Sequence, residues 1–157
     1  MIMVISGSQK FQFDRLLKYI DELIEERIIK TEVRAQTGYS TYMPKGYQFK
    51  NFFEREELNN LISEAEIIIS HGGTGAIVNS LKQGKKVIGI PRQAKFGEHV
   101  DDHQEQIIGN FEESQFISAA HNKEELKQAL LTIDKKCFDP FISNNDIFLI
   151  QLKKYIS

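Results

Sequence analysis

The sequence predicts an α/β fold, a Rossmann-like doubly wound parallel sheet of about six strands. Short apolar runs bounded by turn residues alternate with longer stretches of helical apolar spacing, the pattern of a parallel sheet covered on both faces. One run, Ile67-Ile68-Ile69, is apolar at consecutive positions, as a strand buried on both faces requires. It passes through Ser70-His71-Gly72-Gly73-Thr74-Gly75 into the helix-spaced series Ala76, Ile77, Ser80 and Leu81, which Gly84 ends. Strand, glycine turn and helix form the unit around which the other elements are arranged.

In chain order, Ile2 to Ile5 is the first strand, closed by the turn Ser6-Gly7-Ser8-Gln9. Asp14 suits the cap of a helix whose apolar face is Leu16, Leu17, Ile20, Leu23 and Ile24. Thr31 to Thr37 reads as the second strand, Gly38 to Tyr47 as a loop and Gln48 to Phe52 as the third strand. That loop is short for a parallel crossover and shows no helix, the one weakness of the scheme. A helix with Leu58, Leu61, Ile62 and Ala65 on one face precedes the fourth strand, Ile67 to Ser70; the fifth is Lys86 to Ile90. A helix from about Glu98 to Glu113 puts Val100, Gln104, Ile107, Ile108 and Phe111 in register. The sixth strand is Gln115 to Ala119, and Asn122 with Glu125 forms a capping box for the helix carrying Leu126, Ala129, Leu130 and Ile133. After Asp139-Pro140, Ile147 to Ile156 reads as a final amphipathic helix, so the chain divides into a domain over 1–140 and a C-terminal helix over 141–157.

Composition narrows the function. A chain of 157 residues with 41% hydrophobic content is most simply one core, and a formal charge of −2 gives no general attraction to nucleic acid. The single cysteine, Cys137, cannot close an internal disulfide and reads as a small semi-buried residue in a reducing compartment. No signal peptide and no run near the ~20 apolar residues of a membrane span is present, so a soluble cytoplasmic protein is expected.

In the strand order 3-2-1-4-5-6, strands one and four meet at the topological switch point, where ligands bind beyond the carboxyl ends of the strands. The turns Gly7-Ser8-Gln9 and His71 to Gly75 would then face one crevice. The helix after Gly75 offers unpaired N–H groups and partial positive charge there, which suits a phosphate. No Gly-Lys-Ser/Thr follows at Walker spacing, and neither turn carries G-x-G-x-x-G, which argues against ATP hydrolysis and nicotinamide chemistry.

The combination of HGGTG after a buried strand, then KKVIGIPR, then GEHVDDHQ resembles the donor-binding domain of GT-B glycosyltransferases, of the glycosyltransferase family 28 C-terminal type. It is most similar to the small catalytic subunit of two-chain enzymes. These are the bacterial exopolysaccharide and capsule galactosyl- or glucuronosyltransferases and the eukaryotic subunit that adds the second N-acetylglucosamine to a dolichol-linked sugar. The resemblance implies one half of a GT-B fold, a UDP-sugar donor, no cofactor or metal, and inverting transfer to a lipid-linked acceptor. It also implies a membrane-anchored, acceptor-binding partner subunit that supplies the general base and holds the chain at the inner face of the membrane. It places Gly7 and Ser8 on the diphosphate side, brings N–H groups of Gly72, Gly73, Thr74 and Gly75 to the phosphates, gives Asp102 and Gln104 to the sugar, and counts His103 among the substrate-binding residues. At position 79 the family carries a glutamate that accepts from the ribose diol. Asn79 can accept, but without the charge-assisted bond, about twice as strong as a neutral one.

Several of these residues also have plainer readings. His71 serves either as a turn residue or as a catalytic group, and Arg92 after Pro91 faces the phosphates or solvent. Gln104 interrupts an apolar stripe, so it reaches the cleft, the reading favoured here, or finds a buried partner. His99 and His103 stand one helical turn apart beside Asp102, but no third metal ligand is identifiable. The C-terminal helix docks on this domain or, as favoured here, on the partner.

Overall fold

The computed structural model describes residues 1–142. Six strands, β1 (Ile2–Ile5), β2 (Val33–Gln36), β3 (Gln48–Lys50), β4 (Ile67–His71), β5 (Lys86–Ile90) and β6 (Ser118–Ala119), form one sheet in the order β3-β2-β1-β4-β5-β6. Every pairing is parallel. This is the expected doubly wound order, with the switch point between β1 and β4, where Ile5 pairs with Ser70.

Alternation along the central strands divides the core between two faces. Ile2 and Val4 of β1, Ile69 of β4 and Ile88 and Ile90 of β5 pack with α1 (Asp14–Glu25) and α5 (Lys123–Thr132). Met3, Ile5, Ile68 and Val87 pack on the other face against α2 (Arg55–Glu64), α3 (Thr74–Lys82) and α4 (His103–Glu113). Both faces of β1, β4 and β5 are therefore dry, which explains their unbroken apolar runs.

The weak β2–β3 crossover is a loop after all, and two carboxylates of α1 make it possible. Asp14 accepts from the Thr41 and Tyr42 N–H groups and the Thr41 hydroxyl at 2.8, 3.0 and 2.6 Å. Asp21 accepts from the Tyr42 hydroxyl and from the Lys45 and Gly46 N–H groups at 2.6–2.9 Å. The loop lies on α1 and takes the place of a crossover helix, burying Tyr47 with its hydroxyl on the Leu17 carbonyl. Asp14 is consequently not the cap expected for α1. The helix begins at Asp14 itself, whose N–H donates to the Gln12 side chain at 2.8 Å.

Other boundaries contract. β2, β3 and β6 are shorter than the runs suggested, and α4 begins at His103 rather than near Glu98. The cause is local. A single 3₁₀ turn, Ala94–Phe96, ends in Gly97 in the left-handed region (φ 68°), and Glu98 turns inward. Val100 is 73% exposed rather than part of the helical stripe. At α5, Asn122 accepts the Glu125 N–H at 2.8 Å as expected, while the Glu125 carboxylate answers to the His121 N–H instead. Cys137 is exposed, not semi-buried. The anticipated helix over 147–156 lies outside the described residues. No described helix is long and apolar enough to cross a membrane.

Candidate functional site

The turns that close β1 and β4 lie side by side, and the imidazole of His71 separates them. A Cβ built on Gly7 would stand 2.8 Å from His71 Cε1, and one on Gly73 only 2.2 Å from the same atom. Both positions therefore need glycine because the ring packs against their backbone. Gly7 needs it twice over, since its φ of 102° is strained for any other residue.

Gln104 fixes the other edge of the ring. Its amide oxygen accepts from the N–H of Gly72 at 2.9 Å and from that of Arg92 at 3.0 Å. That leaves the NH2 group, 3.3 Å from His71 Nδ1, to donate there. The neutral ring then carries its proton on Nε2. Burial, aided by the nearby positive charge of Arg92, pushes the His71 pKa down to about 3. His71 is neutral at physiological pH, and its ring spaces the two turns.

Beside this assembly opens a hollow of about 300 Å³. One wall is Gly72 to Gly75 at the start of α3; the other is His99, Asp101, His103, Gln104 and Ile107, with Gln9 at the rim. The first N–H groups of α3 have no helical partner, and no side chain among the described residues caps them. Thr74 Oγ1 is buried and has no hydrogen-bond partner among the described residues. Unspent donors at a helix N-terminus and a hydroxyl without a mate are the equipment of an anion site.

The expected site residues divide on this geometry. Gly72, Gly73, Thr74, Gly75, His103 and Gln104 come together around the hollow. Gln104 does so with its side-chain amide engaged inside the protein, so the reading that sent it free into the cleft is replaced by the buried-partner one. Gly7 backs the His71 ring, Ser8 is exposed outside the lining, and Gln9 represents the first turn instead. Arg92 faces neither phosphates nor solvent. It is 0% exposed, its guanidinium donates to the carbonyls of Ser6, Phe11 and Glu98, and desolvation lowers its pKa to about 10 despite nearby Glu98. Asp102 accepts from the Ala94 N–H at 2.9 Å and lies outside the lining. Asn79 donates to the Asn59 side chain at 2.8 Å, more than a turn along α3.

His99 and His103 do not share a helix, because residues 99–102 are not helical. Both rings turn their Nδ1 to Asp101, at 3.1 and 3.7 Å. Among the described residues no group of three or more His, Cys, Asp or Glu is placed to hold a metal. Sequence reasoning missed Gln9, His99, Asp101 and Ile107 as site residues, His99 having been weighed only as a metal ligand. Gln9 was legible as the next residue of the same turn. Asp101 was masked by the expectation that it began a helix.

These features define a class: a Rossmann-like, doubly wound α/β domain with an open hollow at its switch point. The family described as Glycosyltransferase family 28 C-terminal domain matches residues 1–145, and the chain belongs to it. It is 36% identical over 86 residues, covering 54% of this chain and 40% of the relative, to UDP-N-acetylglucosamine transferase subunit ALG13 of Kluyveromyces lactis. A subunit of the same name from Eremothecium gossypii is 35% identical over 69 residues, 43% of this chain and 32% of that protein. The matches thus span less than half of these relatives' length. In fold, the chain resembles an ALG13 solution structure with a TM-score of 0.63 at 18% identity, over 99% of this chain and 96% of that one. It also resembles the kitacinnamycin glycotransferase, TM-score 0.59 at 12% identity, over 99% of this chain but 38% of that larger one.

Proposed function

We propose that this chain is the donor-binding, catalytic subunit of an inverting transferase that moves a sugar from a UDP-sugar to a lipid-linked acceptor. The relatives' names favour UDP-N-acetylglucosamine as the donor. The observation that carries the reading is the hollow against the uncapped start of α3, lined by Thr74, whose buried Oγ1 finds no partner among the described residues. The diphosphate lies against the Thr74, Gly75 and Ala76 N–H groups. These donors are oriented before reaction and stabilise the negative charge that builds on departing UDP, which is electrostatic catalysis. His71, Gln104 and Arg92 act from beneath by fixing the turns. His103 and Asp101, across the hollow, face the sugar.

The acceptor and its general base belong to a membrane-anchored partner subunit, which closes the hollow from the carboxyl rim of the sheet. Exposed Phe96 and Val100 stand on that rim. Surface polysaccharide, capsule or another lipid-linked glycan is the product class. The test is calorimetric titration of UDP-N-acetylglucosamine, UDP-galactose and UDP-glucuronic acid into the chain co-purified with its partner, followed by transfer assays. Saturable binding of one donor supports the reading; no binding of any UDP-sugar by the assembled pair overturns it.

A second reading, a nucleotide-binding module without turnover, is favoured by Asn79, whose amide is already engaged with Asn59. Binding without transfer in the assembled pair would select it.

A further inference from the structure

The segment from Pro91 to Asp102 supplies His99 and Asp101 to the wall opposite α3, yet its only regular structure is one 3₁₀ turn. Its shape comes from a buried ion pair between distant parts of the chain. Glu98 is 0% exposed, and its carboxylate accepts from Arg15 Nε at 3.0 Å and a terminal guanidinium nitrogen at 3.1 Å. The same carboxylate accepts the Gln93 N–H at 3.0 Å, closing the 3₁₀ turn on itself. Arg15 also donates to the Pro91 carbonyl at 3.1 Å and the His121 carbonyl at 2.9 Å, and lies 4.8 Å from the Phe96 ring. One guanidinium on α1 therefore holds the start and the middle of this segment. His99 follows Glu98 directly, stacks on Phe11 and enters the hollow.

We infer that the Arg15–Glu98 pair is the positioning device that sets the affinity of the hollow for its ligand. The inference rests on the proposed UDP-sugar site. The fork is bidentate, with Glu98 buried and Arg15 partly buried, so it fixes direction as well as distance. Removing the charge of Glu98 leaves the Arg15 guanidinium buried without its counter-charge, and the wall samples positions in which His99 and Asp101 are displaced. A ligand that needs the ordered wall then binds more weakly in proportion to the fraction of time the wall is in place. The N–H groups of α3 are untouched, so the chemical step is preserved once ligand is bound.

The experiment measures donor KM and kcat for the assembled pair with wild-type chain, Glu98→Gln and Arg15→Lys, alongside the folded fraction from circular dichroism. The expected result is a donor KM raised about tenfold with kcat within about twofold, the signature of a reduced competent fraction. A purely structural role predicts less folded protein and lower apparent kcat at unchanged KM, and that result overturns the inference. Should the buried variants not fold, Gln12→Ala decides. The Gln12 amide, on the exposed side, donates to the Phe96 and Gly97 carbonyls at 2.9 and 3.3 Å, and its loss raises KM by a smaller factor. An unchanged KM in folded Gln12→Ala refutes the positioning role while leaving the UDP-sugar site standing. No UDP-sugar binding by the wild type refutes both.

Discussion

The amide oxygen of Gln104 accepts the Gly72 N–H at 2.9 Å, joining the first turn of α4 to the turn that follows β4. The same oxygen takes the Arg92 N–H at 3.0 Å, so one side chain ties three segments of the site together. Gln104→Leu keeps the bulk and orphans both buried donors, at a cost of about 1–3 kcal/mol each. Urea unfolding should show a loss of that order, whereas Gln106→Ala, at an exposed position of the same helix, should change stability by no more than about 0.5 kcal/mol. Equal behaviour of the two variants would remove Gln104 from its tying role.

Two glycines of the same turn should respond oppositely to one methyl group. A Cβ at Gly73 meets the His71 ring at 2.2 and 2.6 Å, and the ring is backed by Gly7, so it has no free retreat. Gly73→Ala should cost about 1–3 kcal/mol by overpacking. A Cβ at Gly75 meets nothing within 4 Å, and the residue is helical, so Gly75→Ala should gain about 0.4–1 kcal/mol. Gly75 also lines the hollow, and its added methyl should weaken UDP binding while stability rises. Thermal melts with and without UDP separate the two effects; a fall in both for Gly75→Ala would contradict the open geometry.

The sheet order, the switch point and the glycine turn were legible because they rest on local chemistry. Ile67 to Ile69 can be apolar on both faces only inside a covered sheet, and glycines before an apolar helix declare a turn. What local sequence does not show is that the missing side chain of Gly7 makes room for the His71 ring. Arg92 and Glu98 were illegible for a different reason. A charged residue near a turn reads as solvated, and nothing in local sequence says that Arg15, 83 positions from Glu98, will neutralise it in the interior. The start of α4 was misplaced by the same fact, since helical spacing ran on through Glu98 and Val100 while the buried ion pair held the backbone out of the helix.

Acid should weaken the fold through His71. The folded protein keeps this ring neutral down to about pH 3, while the unfolded chain protonates it at its ordinary value of 6.5. Between those values the unfolded state binds more protons, so stability is fully present above pH 6.5 and falls as pH drops through the window. The limiting slope for one proton is about 1.4 kcal/mol per pH unit. Urea midpoints measured from pH 7.5 to 4.5 should decline, and His71→Phe, which keeps a ring but cannot titrate, should flatten that decline. An identical slope in the variant would assign the acid sensitivity elsewhere.

Asn79→Glu tests whether α3 reads a ribose. Residues 75, 76 and 79 share a face, and side chains on a helix lean toward its N-terminus, so a longer carboxylate at 79 extends toward the mouth of the hollow. Asn79 now donates to Asn59 Oδ1 at 2.8 Å, a bond the glutamate cannot make. The Asn59 amide is free to rotate and offer its own donor, so the fold should survive at a cost below about 1 kcal/mol. A carboxylate accepting from a sugar diol forms a charge-assisted pair of bonds, and UDP affinity should rise about tenfold. Calorimetry with UDP and with its 2′,3′-dideoxy analogue isolates the contact. The gain should appear for UDP alone; an equal change for both ligands would place the ribose away from α3.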